Sequence, residues 1–201
     1  MKTLFYDHLN TYKMYYFFNL GVLIGGLIFG LHYINFENPT DISTISSNLI
    51  EILEGQYIQN QSSVSYHLID TLTTILIIYI LSLSLVAIPI LPCILFYKSM
   101  QIGFTAALYL QTFNSKGILG ILITILPYIL FEMIAYFTSF AIAYEVSLSI
   151  VLTSFIRKQT LNFKEVFKHI INNLLWSLCF VTLSVLTQIY ILPFLFKIFV
   201  R

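Results

Sequence analysis

The stretch ILPYILFEMIAY, residues 125–136, combines two features that are unusual in a membrane segment. Pro127 removes a helical hydrogen-bond donor, and Glu132 places a carboxylate among residues that otherwise suit lipid. A charged group at mid-membrane costs about 2.5–3.5 kcal/mol on insertion scales, so we expect Glu132 to face the interior of a helix bundle. The stretch therefore predicts a polytopic helical protein with an interrupted helix beside a protected acid.

The composition of the whole chain is that of an integral membrane protein. Of its 201 residues, 58% are hydrophobic and only 9% are charged. The net charge of +1 gives none of the bulk basicity that drives nucleic-acid binding. The two cysteines, Cys93 and Cys179, both lie in apolar runs and indicate neither a disulfide framework nor a metal site. We therefore expect no cofactor, no metal and no nucleic-acid partner.

Long uncharged runs predict an all-α bundle of five membrane spans within a single transmembrane domain, residues 1–201. Kinked or broken helices and amphipathic interfacial helices complete the predicted architecture. The spans are expected at about 14–36, 71–95, 98–113, 117–144 and 172–197, with loops at 37–70 and 145–171. The run 99–115 is only about 26 Å long as a helix, so it either spans the membrane or forms a re-entrant hairpin.

The charges of two loops favour the five-span alternative. The loop 37–70 has five acidic and no basic residues, whereas four Lys and Arg residues cluster in the loop 145–171. By the positive-inside rule the first loop is external and the second cytoplasmic, which requires five crossings from a cytoplasmic N-terminus. Because the composition is typical of an AT-rich bacterial genome, the predicted location is the bacterial cytoplasmic membrane.

Prolines mark the predicted core of the protein. Span two ends in VAIPILPC, residues 86–93, where Pro89 and Pro92 each remove a donor and predict a kink or an unwound segment. Irregular backbone at membrane depth persists only where protein or a wet cavity covers it. We therefore expect residues 85–140 to form the structural heart, with Lys98 at the cytoplasmic junction of spans two and three.

Two roles are open for the buried acid. Glu132 either ties helices together through hydrogen bonds to groups freed by Pro127, or it handles a proton or a substrate. Gln101, Thr105, Tyr128, Tyr136 and Gln188 are candidate polar partners. The candidate polar or ligand site consists of Glu132, Pro127, Tyr128, Lys98, Gln101 and Gly103.

The first span contains two pairs of glycines four residues apart. In GVLIGGLIFG, these pairs are Gly21 with Gly25 and Gly26 with Gly30. Small residues at this spacing let a second helix approach closely. They predict a packing face, used either within the chain or in a homo-oligomer.

Both long loops contain amphipathic patterns. DISTISSNLIEILEG, residues 41–55, predicts a helix on the outer leaflet or on a partner. NFKEVFKHII, residues 162–171, predicts a cytoplasmic interfacial helix that either anchors the protein to anionic lipid or docks a partner such as an ATPase. The candidate docking residues are Phe163, Lys164, Phe167 and Lys168.

Known catalytic signatures do not occur in the sequence. It contains no G-x-x-x-x-G-K-[ST] phosphate-binding loop and no H-E-x-x-H motif, and its Ser, His and Asp residues lie in no recognisable nucleophile motif. We therefore expect a non-catalytic subunit that draws any energy from a separate ATPase.

Residues 88–136 resemble the core of the stage II sporulation protein M family of bacterial and archaeal membrane proteins. In that family a proline-containing span leads through a Gly-Phe segment and a glycine turn to a span that reads like L-P-H-G-x-x-E-x-x-A. The matching positions here are Gly103, Phe104, Gly117, Leu126, Pro127, Glu132 and Ala135. The His and Gly that follow the proline in the family are Tyr128 and Ile129 here.

The resemblance implies one of two functional settings. One is a membrane subunit that acts beside an ABC-type transporter in export of, or immunity to, a small antimicrobial peptide. The other is an envelope scaffold that recruits peptidoglycan hydrolases, as in sporulation engulfment. The implied partners are the lipid bilayer, other membrane or ATPase subunits, and a hydrophobic or cationic peptide.

Overall fold

The computed structural model describes residues 2–34, 43–47, 61–84, 86–153, 163–191 and 194. The main helices are α1 (Lys2–Tyr33), α2 (Gln61–Ser82), α3 (Ala87–Phe113), α4 (Ser115–Gly120), α5 (Leu126–Val151) and α6 (Phe163–Leu186). A π-helical turn, Ile121–Ile125, joins α4 to α5, and a second, Thr187–Ile191, follows α6. The all-α class predicted from the sequence is confirmed.

The described residues include five helical segments that are long and apolar enough to cross a membrane. They are Lys13–Tyr33, Ser65–Ser82, Ala87–Phe113, Ser115–Val151 and Val166–Ile191. The prediction of five spans is therefore confirmed, and the protein is a multi-pass membrane protein.

Contacts between the helices show that successive spans alternate in direction. Thr71 contacts Glu132 and Tyr79 contacts Ser139, so α2 and α5 run parallel. Ser139 meets Ser177 and Tyr128 meets Ser184, so α6 runs antiparallel to α5. Because α1 packs in parallel along α3, the spans α1, α3 and α6 run in one direction and α2 and α5 in the other.

The break between the second and third spans lies earlier than the sequence analysis expected. Helix α2 ends at Ser82, and α3 begins at Ala87 and continues without interruption to Phe113. Pro89 lies in the first turn of α3, where the N–H groups have no intrahelical acceptor in any case, so it helps to start the helix. Pro92 lies inside α3. The segment 99–115 is thus mainly the second half of a 27-residue helix and not a re-entrant hairpin.

Pro127 lies where the helix geometry changes. The Leu126 N–H bonds to the Ile121 carbonyl, five residues back, and Pro127 then occupies the first turn of α5. The wider π turn accommodates a residue whose ring would clash with the carbonyl four positions earlier in an α-helix. The predicted interruption at Pro127 therefore takes the form of a π-helical turn within a continuous helical segment.

The fifth span begins before the position expected from the sequence. Helix α6 begins at Phe163 and continues through the apolar run, so 163–171 is the first part of the span and not a separate interfacial helix. The chain has no Gly or Pro between 163 and 186 that would break it. Lys164, Phe167 and Lys168 are exposed on this end of α6, while the Phe163 side chain lies outside the described residues.

The glycines of α1 divide between two environments. A Cβ at Gly26 would overlap Ser99, and a Cβ at Gly30 would overlap the Met100 carbonyl, so both glycines allow α1 to lie directly on α3. Gly103 meets the Leu27 backbone from the other side of the contact. By contrast, a Cβ at Gly21 would have no neighbour within 4 Å, and one at Gly25 would only just touch Phe96 at 4.0 Å. Dimerisation through these last two residues stays a prediction.

The core lies between α2, α3, α5 and α6. Ile78, Leu91 and Phe140 are fully buried in it, as is Tyr136, which leads directly to the acid described below. Of the predicted external helix, residues 43–47 are helical, and the rest of that prediction lies outside the described residues.

Candidate functional site

Glu132 points into the bundle, where three side chains bond to its carboxylate. The Thr71 hydroxyl donates to Oε1 at 2.8 Å, and the Tyr136 hydroxyl donates to the same atom at 3.0 Å. His67 Nε2 lies 3.2 Å from Oε2. The acid is only 6% exposed. Its partners are therefore side chains of α2 and α5, and not backbone groups freed by Pro127.

A second ion pair lies next to the first. The Lys98 ammonium donates to a carboxylate oxygen of Asp70 at 2.6 Å. The Lys98 side chain is 10% exposed and the Asp70 side chain 50%. Asp70 follows His67 by one helical turn, so α2 presents an imidazole and a carboxylate on one face. Lys98 lies within α3, which corrects its predicted position at the junction of two spans.

The two pairs line one cavity of about 190 Å³. Its polar lining comes from α2, α3 and α5: His67, Asp70, Lys98, Gln101, Thr105, Tyr128, Glu132 and Tyr136. Ile102, Ile129 and Met133 complete the wall. The structure thus brings together Glu132, Tyr128, Lys98 and Gln101, four of the six residues named from the sequence as the candidate polar site.

The cavity lies about midway along the spans. Thr71 is 11 residues before the end of α2, and Lys98 is 11 residues after the start of α3. At ~1.5 Å per residue, both helices place the ion pairs about 17 Å from the end of the bundle where α2 and α3 meet. Two helices that run in opposite directions therefore give the same depth, close to half of the ~30 Å hydrocarbon core.

The remaining two predicted site residues lie outside the cavity. Gly103 is buried against Leu27 and serves the contact between α1 and α3. Pro127 borders the π turn, five residues before Glu132. Both residues shape the helices that carry the site and do not line it.

Three residues of the site were missed by the sequence analysis because 37–70 was treated as a loop. His67, Asp70 and Thr71 all lie on α2, which begins at Gln61. Together with Thr74 they recur at intervals of three, one and three residues, which is the spacing of a polar stripe on a helix. That periodicity was the available signal.

His67 also bears on a departure from the family pattern. The position after Pro127 is a tyrosine here, and the His67 ring packs edge-on against that Tyr128 ring, with the centroids 5.7 Å apart. An imidazole therefore reaches the acid from α2 and not from α5. A His–Glu pair exists in this chain although the sequence motif lacks its histidine.

A separate buried network joins α2, α5 and α6. The Tyr79 hydroxyl lies 3.2 Å from Ser139 Oγ and 3.3 Å from Ser177 Oγ, and it accepts a hydrogen bond from the Asn173 amide at 2.5 Å. This cluster contains no ionisable acid or base other than the phenol. Interhelical hydrogen bonds of this kind stabilise membrane bundles by about 0.6 kcal/mol each on average, so its role is packing.

A metal is not an obvious occupant of the bundle. Within the part of the chain that the structure describes, no group of three or more His, Cys, Asp and Glu side chains is placed to hold a metal ion. Cys93 and Cys179 are free and exposed.

Comparison with protein families gives a match over most of the chain. The family model of the stage II sporulation protein M matches residues 14–193. Neither the curated proteins nor the solved structures contain a match to the chain. The matched range includes all five spans from Met14 onward and every residue that lines the cavity. The chain therefore belongs to the stage II sporulation protein M family.

Proposed function

We propose that this protein is a non-catalytic membrane subunit of a transport system. In this proposal its mid-membrane cavity contacts a small antimicrobial peptide during export or producer immunity. The protein resides in the bacterial cytoplasmic membrane with its N-terminus in the cytoplasm, where a separate ABC-type ATPase supplies energy.

The observation that carries the proposal is the set of four charged or titratable side chains around one cavity. His67, Asp70, Lys98 and Glu132 meet at a depth where each charge is costly to bury. A protein that only recruits others through its loops does not need such a cavity, because apolar packing would join the same helices without the cost of burying the charges. Intramembrane ionisable groups that face a cavity are typical of substrate and ion pathways.

The need for a partner ATPase follows from the sequence. The chain has no phosphate-binding loop, so it cannot hydrolyse ATP by the usual mechanism of a transport ATPase. The exposed side chains Lys164, Phe167 and Lys168 at the start of α6 form the candidate contact surface for that partner.

A killing assay in cells tests the proposal. Cells that carry this protein are compared with a deletion strain for survival under a panel of cationic antimicrobial peptides. Deletion is expected to sensitise the cells, and the intact chain but not Glu132→Gln is expected to restore resistance. Glu145→Gln is the matched control, because Glu145 also lies on α5 in an ion pair, with His169 at 3.3 Å, but does not line the cavity.

Two outcomes would contradict the proposal. Unchanged survival of the deletion strain would exclude a role in resistance to those peptides. Full restoration by Glu132→Gln, at equal amounts of protein in the membrane, would exclude the carboxylate as a functional group. If the chain instead co-purified with a peptidoglycan hydrolase through residues 37–70, the scaffold alternative would be supported.

A further inference from the structure

The formal charges around the cavity do not cancel when His67 is neutral. Asp70 and Glu132 contribute two negative charges, and Lys98 contributes one positive charge. The two carboxylates are thus left with a net charge of −1 near mid-membrane, which is energetically unfavourable. One further positive charge would make the site neutral.

We propose that the cavity binds one organic cationic head group, an ammonium or a guanidinium, between Asp70 and Glu132, in exchange for a proton on His67. This inference rests on the proposed function and names the part of the peptide that the cavity recognises: a Lys or Arg side chain or a free N-terminus. Without a ligand, protonated His67 completes the charge balance. When a cation enters, His67 releases one proton to water and becomes neutral.

The size of the cavity fits a head group and excludes a whole peptide. Its volume of about 190 Å³ corresponds to roughly six water molecules at ~30 Å³ each. A guanidinium or an ammonium with its nearest methylenes occupies a similar volume. The peptide backbone would remain outside the cavity.

The structure already shows how an ammonium is held at this site. The Lys98 ammonium donates to Asp70 at 2.6 Å, a short charge-assisted hydrogen bond. Gln101 and Thr105 of α3 and Tyr128 of α5 also line the cavity, and their amide and hydroxyl oxygens can accept the remaining N–H groups of a ligand. An incoming cation would share the carboxylates with Lys98.

The surroundings of His67 allow the proton to leave without loss of its bond to the acid. In the imidazolium form both ring nitrogens carry a proton, and Nε2–H donates to Glu132 at 3.2 Å. Release of the Nδ1 proton keeps that bond intact. The titratable or charged groups around His67 in the cavity are Asp70 on α2, Lys98 on α3, and Tyr128, Glu132 and Tyr136 on α5. The described part of α6 contributes no lining residue.

Proton release provides a direct test. The full chain is purified into lipid nanodiscs in weakly buffered solution with a pH-indicator dye, and ethylammonium or methylguanidinium chloride is added. We expect saturable release of about one proton per protein at a pH where His67 is charged in the free state. N-methylurea, which is neutral but similar in shape to methylguanidinium, is expected to release none.

Variants identify the groups involved. His67→Gln is expected to abolish proton release, and Asp70→Asn is expected to weaken the binding of both cations. Glu145→Gln is expected to behave like the unmodified chain, since Glu145 lies outside the cavity. Asp70 is half-exposed, so Asp70→Asn remains informative even if a change at the buried Glu132 impairs folding.

Several results would overturn the inference. They are equal release on addition of sodium chloride, release by N-methylurea, release that persists in His67→Gln, or no release by either cation. The cell assay fails separately: resistance that depends on Glu132 without cation binding retains the proposed function and removes this inference. Cation binding without any resistance phenotype does the reverse.

Discussion

The ammonium of Lys98 on α3 lies 2.6 Å from the carboxylate of Asp70 on α2, and the same cavity contains the carboxylate of Glu132. Lys98 is thus the one fixed cation among the described residues that line this cavity, and it holds two adjacent spans together at mid-membrane. The buried charges of this bundle therefore stabilise one another across three helices, and no single pair accounts for the site.

Replacement of Lys98 by methionine is expected to destabilise the protein. Lys98→Met leaves Asp70 and Glu132 without their shared cation. Loss of one partner of a fully buried pair costs 3–5 kcal/mol, and the half-exposed Asp70 reduces this to about 1–3 kcal/mol. The free energy of unfolding in mixed detergent micelles measures the effect. The double variant Asp70→Asn/Lys98→Met should recover part of the loss, and a strictly additive loss would argue against an ion pair.

Removal of the Thr71 hydroxyl is expected to weaken the anchoring of the acid. Thr71→Val keeps the side-chain shape but loses the donor 2.8 Å from Glu132. Because the acceptor is a carboxylate in a low dielectric, we expect a loss of about 1–2 kcal/mol. Thr73→Val is the matched control on the same helix, since Thr73 is exposed. Equal stabilities of the two variants would show that the hydroxyl contributes nothing to holding Glu132.

The glycine contact between α1 and α3 predicts opposite effects for two similar substitutions. Gly30→Ala forces a Cβ into the Met100 carbonyl and is expected to separate the helices, with a loss of about 2 kcal/mol or more. Gly21→Ala meets no neighbouring atom and is expected to be neutral or to gain up to ~1 kcal/mol from its lower backbone entropy. Thermal unfolding of both purified variants checks the sign. A stable Gly30→Ala protein would contradict the close approach of the two helices.

The π turn before Pro127 predicts an asymmetric response to single-residue deletions. Deletion of the half-exposed Leu122 converts the wide turn into an ordinary α-helical turn and leaves the register of α5 unchanged. Deletion of exposed Ile134, inside α5, rotates Glu132 by about 100° relative to everything after it. We expect the first variant to purify as a monodisperse folded protein and the second to aggregate. Similar recovery of both proteins by size-exclusion chromatography would contradict this reading of the turn.

The overall architecture was accessible from the sequence because bilayer thickness sets the length of an apolar helix. The composition, five long uncharged runs and the order of Gly103, Pro127 and Glu132 predicted an all-α membrane protein and its family. The boundaries were less accessible. Pro89 is compatible with the end of one helix or with the first turn of the next, and only the packing of α2 and α3 decides between them.

The site was half accessible for a related reason. Glu132 was recognisable because it interrupts an apolar run, whereas Asp70 lies at the edge of one and was counted with the acidic loop before it. The pairing of Asp70 with Lys98, and of His67 with Glu132, joins residues 28 and 65 positions apart. No local pattern encodes such contacts, since they arise only when three helices associate.

The chain order of the four charged or titratable site residues has a consequence for biogenesis. Asp70 and Lys98 lie on consecutive spans, so they can neutralise each other as one hairpin while the ribosome is still synthesising the rest of the chain. Glu132 emerges later and meets hydroxyl and imidazole donors that are already in place. Insertion of the acid into the bilayer should therefore depend on the earlier hairpin, so that its loss would expose the nascent chain to membrane quality-control proteases.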